Sequence, residues 1–545
     1  VVRYRAEPIP AAQTLAVSVS VDAPAPRQTF VIPGWTPGYY QLRRSDLKIS
    51  DVRATTEDGR PLKVSRSGTL GWTVDSSNAK RLVLSYRVLA DDPGLGFFGV
   101  SVAKDQAFIN GPAAFMYPEG RASEGTELRL KLPEGWDVAT GMDKRDDAYV
   151  AGDYDELVDH PLQLGRFVRR TFDVEGVPFE AVFVAEAKPA VNTAMETERL
   201  KRLSEPVVRM FGGAPFKRYV YIIHLAVGEF SGGLEHRASS VVALPNAARL
   251  DADDLFVHEL FHAWNVKQIR PRILGPFDYT KPARTGALWF AEGVTDYYAR
   301  RLVYQSGLRD EKWLFDQLAA EITMLELGET QRVKSVAAAS RETWEDSGFG
   351  VGDLSYYNKG FILGLVFDAV LRGSTDGRKS LDDVMRLMYE RYRYPKAGYS
   401  DDGILLALNE VSGRDLTNLY RQLVDEPKPV PYALLKQIGM RLIFPDRVVE
   451  RLPFQTSDGV ITSLEPSATA AGLRRGDRVE SVEVIRDSEP SRARVRVGGK
   501  DLTVPLATVK PDTYDVEPNP WATPAERRRL GDWLARPNRV VQKNG

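Results

Sequence analysis

The sequence predicts a multidomain α+β protein, and three observations predict it. Residues 1 to about 170 carry short alternating or apolar runs broken by Gly, Pro, Asp and Asn. From 250 to about 425 the apolar residues recur at helical spacing. After a proline-rich stretch, VDEPKPVPY at 424–432, short strand-like runs return. At 545 residues the chain is also too long for one ordinary core.

In the first region TLAVSVSVDA, TFVIPGW, RLVLSYRVLA and ELRLKLPEGW read as strands of a β-sandwich-like domain over 1–170. WTPGYY, Trp35 to Tyr40, sets aromatics beside a Pro-Gly turn, and packing between sheets accounts for them. Over 171–248 helix and strand alternate. YVYIIHLAV at 219–227 and SSVVAL at 239–244 fit buried strands, and GEFSGGLEHR between them reads as a glycine-bearing loop. LWFAEGVTDYYARRLVY, KWLFDQLAAEITMLEL, YYNKGFILGLVFDAVLR, LDDVMRLMYERY and ILLALNEV follow as helices, completing a mixed then helical domain over 171–425. A linker is expected at 426–432, a compact β domain at 433–515 and a tail with one short helix at 516–545. That last helix has Thr523 as N-cap, Pro524 at the first position and Glu526 closing a capping box.

Composition removes several classes of function. Lysine plus arginine numbers 73 against 74 aspartate plus glutamate, so no basic surplus invites nucleic acid. Cysteine is absent, which excludes disulfides, a thiol nucleophile and thiolate metal ligands. No apolar run reaches the roughly 18 residues of a transmembrane helix. The chain opens VVRYRAEPIP with no signal-like segment, as a processed or trimmed polypeptide would.

HELFHAWN at 258–265 holds two of the five histidines. On a helix His258 and His262 share one face and can share one ion. DADD at 251–254 supplies acids for the helix start, and Arg270-Pro271 the stop. A chance H-E-x-x-H in this chain has a likelihood of roughly 0.003. Glu259 can reach a water polarised by the metal and take its proton during attack on a carbonyl. Imidazole plus carboxylate, with no soft ligand available, selects zinc. Glu292 in LWFAEGVTDYYARR, 30 residues after His262, is the candidate third ligand, since a carboxylate in that apolar setting needs a partner. Asp296, one turn on, could accept the spare ring N–H of a ligand histidine. His224 reads as a satisfied strand histidine, His160 as part of the junction with the first domain, and His236 stays unassigned.

HELFHAWNVKQIRP and WFAEGVTDYY together resemble the gluzincin metallopeptidases. With WTPGYY, GGLEH, YYNKG and PSATAAGLRRGD in that order, nearly the whole chain resembles the glycyl aminopeptidase family. The resemblance implies a thermolysin-like α+β catalytic domain with a helical C-terminal part, and a C-terminal PDZ domain over 433–515. It implies one catalytic Zn2+, bacterial origin and an exported or periplasmic setting, with the cytoplasm as alternative. It gives Glu235 the substrate's free amino group, with Gly232 and Gly233 letting the backbone pass close to substrate. It makes Tyr357, two residues before Lys359-Gly360, the donor to the tetrahedral oxyanion. The expected partners are peptides with a free N-terminus, plus a peptide or protein ligand at the PDZ domain. The expected activity is release of small N-terminal residues, glycine or alanine, by Glu-assisted attack of a zinc-bound water. A PDZ-guided metalloendopeptidase and a non-catalytic peptide-binding scaffold are the alternatives.

Overall fold

A computed structural model of the chain describes residues 1–76, 79–92, 98–185, 188–226, 230–328, 330–345, 354–457, 459–486, 490–510 and 512–536. They fall into two compact units. The first comprises Val1–Thr285, Arg341–Val351 and Tyr392–Tyr399, the second Gly286–Ser340, Gly352–Arg391 and Ser400–Gly545.

The first unit begins with an eight-stranded sheet in which Val2–Ile9, Thr14–Asp22 and Arg81–Leu89 run antiparallel. Burial alternates residue by residue along all three, as one dry and one wet face require. Strands Arg27–Val31 and Gly71–Asp75 pair with each other in a smaller sheet, and Gln106–Ile109 with Leu162–Gly165 in another. Val17 and Leu84, Phe30 and Trp72, and Ile109 and Leu164 all enter one core. The β-rich region therefore holds three sheets about a shared interior, where a simple sandwich has two.

A five-stranded sheet follows, with strand order Val168–Val174, Val177–Ala185, Tyr219–Ala226, Ser239–Pro245, Gly232–His236. The three inner strands are parallel, and Tyr219–Ala226 and Ser239–Pro245 are almost wholly buried, which explains their continuous apolar character. Helix Thr193–Phe211, capped by the Asn192 side chain, connects the second and third. GGLEH is the edge strand of this sheet and not a loop: Gly233 lies opposite Val242 and Glu235 opposite Ser240. Two glycines and a glutamate carry little strand propensity, so pairing with the buried Ser239–Pro245 strand decides the conformation. Gly228 and Glu229 of the GEFSGGLEHR stretch lie outside the described residues.

The helix bearing HELF spans Asp253–Phe261, with Asp253 and Asp254 in its first turn and His262 at its C-cap. It stops well before Arg270-Pro271, because the chain turns at once: Lys267 N–H donates to His262 C=O and Ile269 N–H to Trp264 C=O.

The second unit opens with a single π-helical turn, Trp289–Gly293, running into helix Val294–Gln305. Helix Tyr356–Ser374 crosses it backbone to backbone. A Cβ on Gly360 would sit 2.3 Å from Trp289 O, and one on Gly293 2.5 Å from Gly360 Cα. Only glycine fits at either position.

The stretch expected as a linker is pinned: Val430 is buried, Lys359 Nζ donates to Lys428 C=O at 3.3 Å, and Tyr432 OH donates to Glu326 at 2.7 Å. Beyond it lie short antiparallel strands with a separate core of Phe454, Ile461, Leu473 and Val495 among others. Strand Asp515–Pro518 pairs with Met440–Ile443, so an element boundary at 515/516 would cut a strand. Helix Pro524–Leu534 has the expected capping box. It is no loose tail, since Trp533 is fully buried and donates to Tyr297 OH at 2.9 Å. Among the described residues no helix is long and apolar enough to cross a membrane.

Candidate active site

His258 sits in the last turn of the Asp253–Phe261 helix and His262 caps it, so the four-residue spacing brings their Nε2 atoms to 2.9 Å. His262 Nδ1 lies 2.7 Å from Asn265 O, a carbonyl acceptor. That bond keeps the proton on Nδ1 and turns the Nε2 lone pair toward His258. Glu292 lies on the π-helical turn of the second unit and is buried, as His258 and His262 are in the first. Two nitrogens on a tetrahedral zinc with bonds of about 2.0–2.1 Å stand roughly 3.3 Å apart, so this pair needs little adjustment. The donor set fits zinc.

Asp296 pairs with Arg300 one turn further on. The Nδ1–H of His262 is taken by the Asn265 carbonyl.

A second convergence involves Glu235. Its carboxylate, that of Glu259 and a nitrogen of His262 also lie within 4.8 Å of one another. The edge strand makes this possible, because a Cβ on Gly233 would fall 2.2 Å from Glu259 Oε1. Gly233 therefore lets the strand backbone lie directly against the Glu259 side chain. Gly232 precedes it on the same strand and is half-buried. Tyr357 stands in the first turn of helix Tyr356–Ser374, its ring stacked at 4.9 Å on Tyr356. Tyr356 is fully buried whereas Tyr357 is not.

Three participants were not singled out in the sequence. Gly38, in WTPGYY, lies against Glu235: a Cβ there would be 2.7 Å from Oε2. Trp35 of the same segment packs as an aromatic should, 5.4 Å from Phe277 and 5.2 Å from Trp344. Lys267 Nζ is 3.6 Å from Glu235 Oε1 and donates to Asp159 Oδ1 at 2.9 Å. His236 Nδ1 meets the same Asp159 oxygen at 3.2 Å. Burial would raise the Asp159 carboxyl, but Lys267 and His236 outweigh it and hold the group well below the usual carboxylate range. Burial likewise opposes the Lys267 charge, and Asp159 and Glu235 more than restore it. Lys267 follows the second ligand by five residues in an otherwise buried stretch, which was the available signal.

The remaining histidines are structural. His224 meets Gln163 Oε1 at 2.9 Å. His160 is buried, and desolvation pushes it down to about 3.

The buried imidazole pair with the Glu259 carboxylate beside it suits metal-assisted hydrolysis, and the chain is a zinc metallopeptidase, a hydrolase whose cofactor is one zinc ion. Residues 4–166 match the peptidase M61 N-terminal domain and residues 252–363 the M61 glycyl aminopeptidase domain, so the chain carries domains of the M61 peptidase family. Neither match extends over the β region after 440. No curated protein matches the sequence. Among solved structures, an aminopeptidase N family protein from Idiomarina loihiensis is similar at a TM-score of 0.78 and 24% identity, covering 98% of this chain and 100% of that one. An M1 zinc metallopeptidase from Deinococcus radiodurans is similar at a TM-score of 0.50 and 15% identity, over 79% of this chain and 94% of that one. At such identities the likeness is one of fold.

Proposed function

We propose that the chain is an aminopeptidase, which cleaves the first peptide bond of substrates with a free amino terminus. The observation that carries this reading is the Glu235 carboxylate, held beside Glu259 and His262. An α-amine has a pKa of about 8 and is largely cationic at neutral pH. Bound to Glu235 it would leave only the adjacent peptide bond within reach of Glu259. His258, His262 and Glu292 would hold the zinc, which would supply Lewis acidity toward the scissile carbonyl and toward water. Glu259 takes the proton of the attacking water and returns it to the leaving amine. Tyr357 donates a hydrogen bond to the oxyanion; its lesser burial supports choosing it over Tyr356. Preference for small first residues, glycine or alanine, is proposed here, and the family description supports the glycine part alone.

Cleavage of a peptide anilide with a free amine, but not of its N-acetylated counterpart, tests the reading. Equal rates on the two would overturn it. One observation favours a second reading, a PDZ-guided endopeptidase. Within the second unit, strand Phe454–Ser457 and helix Glu311–Leu327 line a groove that an extended peptide could enter by strand addition. An internally quenched peptide blocked at both ends separates the two. The intact Glu259 argues against a non-catalytic scaffold.

A further inference from the structure

Glu235 has other carboxylates close by. Its own carboxylate lies within 4.8 Å of that of Glu259 and of a His262 nitrogen. Lys267 bridges it to a third, with Nζ 3.6 Å from Glu235 Oε1 and 2.9 Å from Asp159 Oδ1. Glu235 and Lys267 are both buried.

The backbone is strained where it delivers Lys267. Val266, the residue before it, has a φ of +153°, which a β-branched residue adopts only at a cost. Immediately after, Lys267 N–H donates to His262 C=O at 3.1 Å. One residue thus joins the C-cap of the Asp253–Phe261 helix through its backbone and the edge-strand glutamate through its side chain. Strain of this kind persists only where the surrounding contacts over-determine it, and both ends of Lys267 supply such contacts.

Lys267 stands nearer to Asp159, which also meets His236 Nδ1 at 3.2 Å. Its charge is met there first, so Glu235 keeps its own for an incoming ammonium. Gly38 confines the same carboxylate sterically, since a Cβ there would lie 2.7 Å from Oε2 and 2.9 Å from Oε1. The recess behind Glu235, lined by Trp35, Lys267 and Arg270 among others, encloses about 20 Å³, room for one water. An ammonium therefore reaches Glu235 from the face shared with Glu259 and His262 and cannot displace Lys267. Without the Lys267 charge, Asp159 and Glu235 would have no cation between them. Buried like charges a few ångströms apart repel strongly, and Glu235 would turn away. That loss outweighs any repulsion between Lys267 and the incoming ammonium, which the nearer Asp159 largely cancels.

We propose that Lys267 is a positioning residue for amine recognition: held by Asp159, it fixes the Glu235 carboxylate to receive the substrate's α-ammonium, without touching substrate itself. The proposal rests on the reading of Glu235 as the amine anchor.

Alanine hydroxamate and propionohydroxamate share a metal-binding group and differ in the α-amine. The ratio of their dissociation constants on the zinc-loaded full chain, by titration calorimetry, therefore reads the amine contact. Charge-assisted pairing predicts a wild-type ratio of about tenfold to a hundredfold in favour of the amine. Lys267→Met should lower that ratio by about tenfold, with zinc content and propionohydroxamate binding unchanged, and Lys267→Arg should restore part of it. In Glu235→Gln the ratio is already low, and adding Lys267→Met should lower it no further. A lysine that only clamped the fold would weaken both hydroxamates alike. A Lys267→Met ratio equal to that of wild type overturns the proposal while the aminopeptidase reading stands, and equal binding of the two hydroxamates by wild type overturns both. If Lys267→Met loses zinc or fails to fold, a crystal structure of wild type with alanine hydroxamate decides. Lys267 Nζ within about 4 Å of the Glu235 carboxylate that meets the ammonium supports the proposal. A Glu235 carboxylate on the ammonium but turned from Lys267 overturns it.

Discussion

The metal side of the proposed site and its proposed amine side are made in different ways. Two of the three metal donors come from one helix and its cap, and the bond from His262 Nδ1 to Asn265 O closes within three residues. The amine side collects Gly38, Asp159, Glu235 and Lys267 from four distant stretches of chain. Local chemistry assembles the first; tertiary packing assembles the second. The lesson is that catalytic power and choice of substrate depend on different parts of the sequence and should fail separately.

Replacing Glu259 with Gln is the strongest way to break that separation. It should lower kcat/KM by about a thousandfold or more on every substrate, with zinc content unchanged by metal analysis. Glu235→Ala should cost about a hundredfold on free-amine substrates, through loss of one charge-assisted contact, again with zinc retained. A loss of zinc in Glu235→Ala would merge the two sides into one. Gly38→Ala sharpens the contrast without touching a charge. Its Cβ would meet both Glu235 oxygens within 2.9 Å, at a φ of +89° that suits glycine. An increase in KM of about tenfold is expected, with zinc content and the response to inhibitory chelators as in wild type.

A last effect is read on stability and not on turnover, through the buried residues near Asp159. His160 titrates at about 3 in the fold, against about 6.5 for an unperturbed histidine. Between those values the unfolded chain binds a proton that the folded chain does not, so stability falls as pH drops below about 6.5. The loss should reach about 2 kcal/mol by pH 5 and continue toward pH 3. Thermal melts of wild type and His160→Asn across that range read it: the variant should show a shallower acid slope, and parallel slopes would rule His160 out.

The legibility of the sequence divides along the same line. His258, Glu259 and His262 are readable because helical spacing is a local rule, and the helices and most strands follow from periodicity of 3.6 or 2. Glu235 was reachable only through resemblance, and its conformation was misjudged, because GGLEH becomes a strand by pairing with a neighbour whose register no local pattern states. Gly38 and Lys267 had weaker signals still. Nothing in WTPGYY says that its glycine will face a carboxylate some two hundred positions later in the chain. The anchoring of Trp533 on Tyr297 was hidden for the same reason, since a short capped helix at a chain end looks like a tail until its partner is known.

The crossing of Gly293 over Gly360 has a consequence for how errors propagate. Glu292 is the residue before one glycine, and Tyr357 lies three residues before the other. With no side chain between the two backbones, the crossing has no compressible layer to absorb a shift. A wedge introduced at either position would displace Glu292, the proposed ligand, and Tyr357, the proposed oxyanion donor, together, so on that proposal faults in metal affinity and in turnover would arrive correlated. Within this pair of helices, tolerance is a shared quantity, set by the absence of two methyl groups.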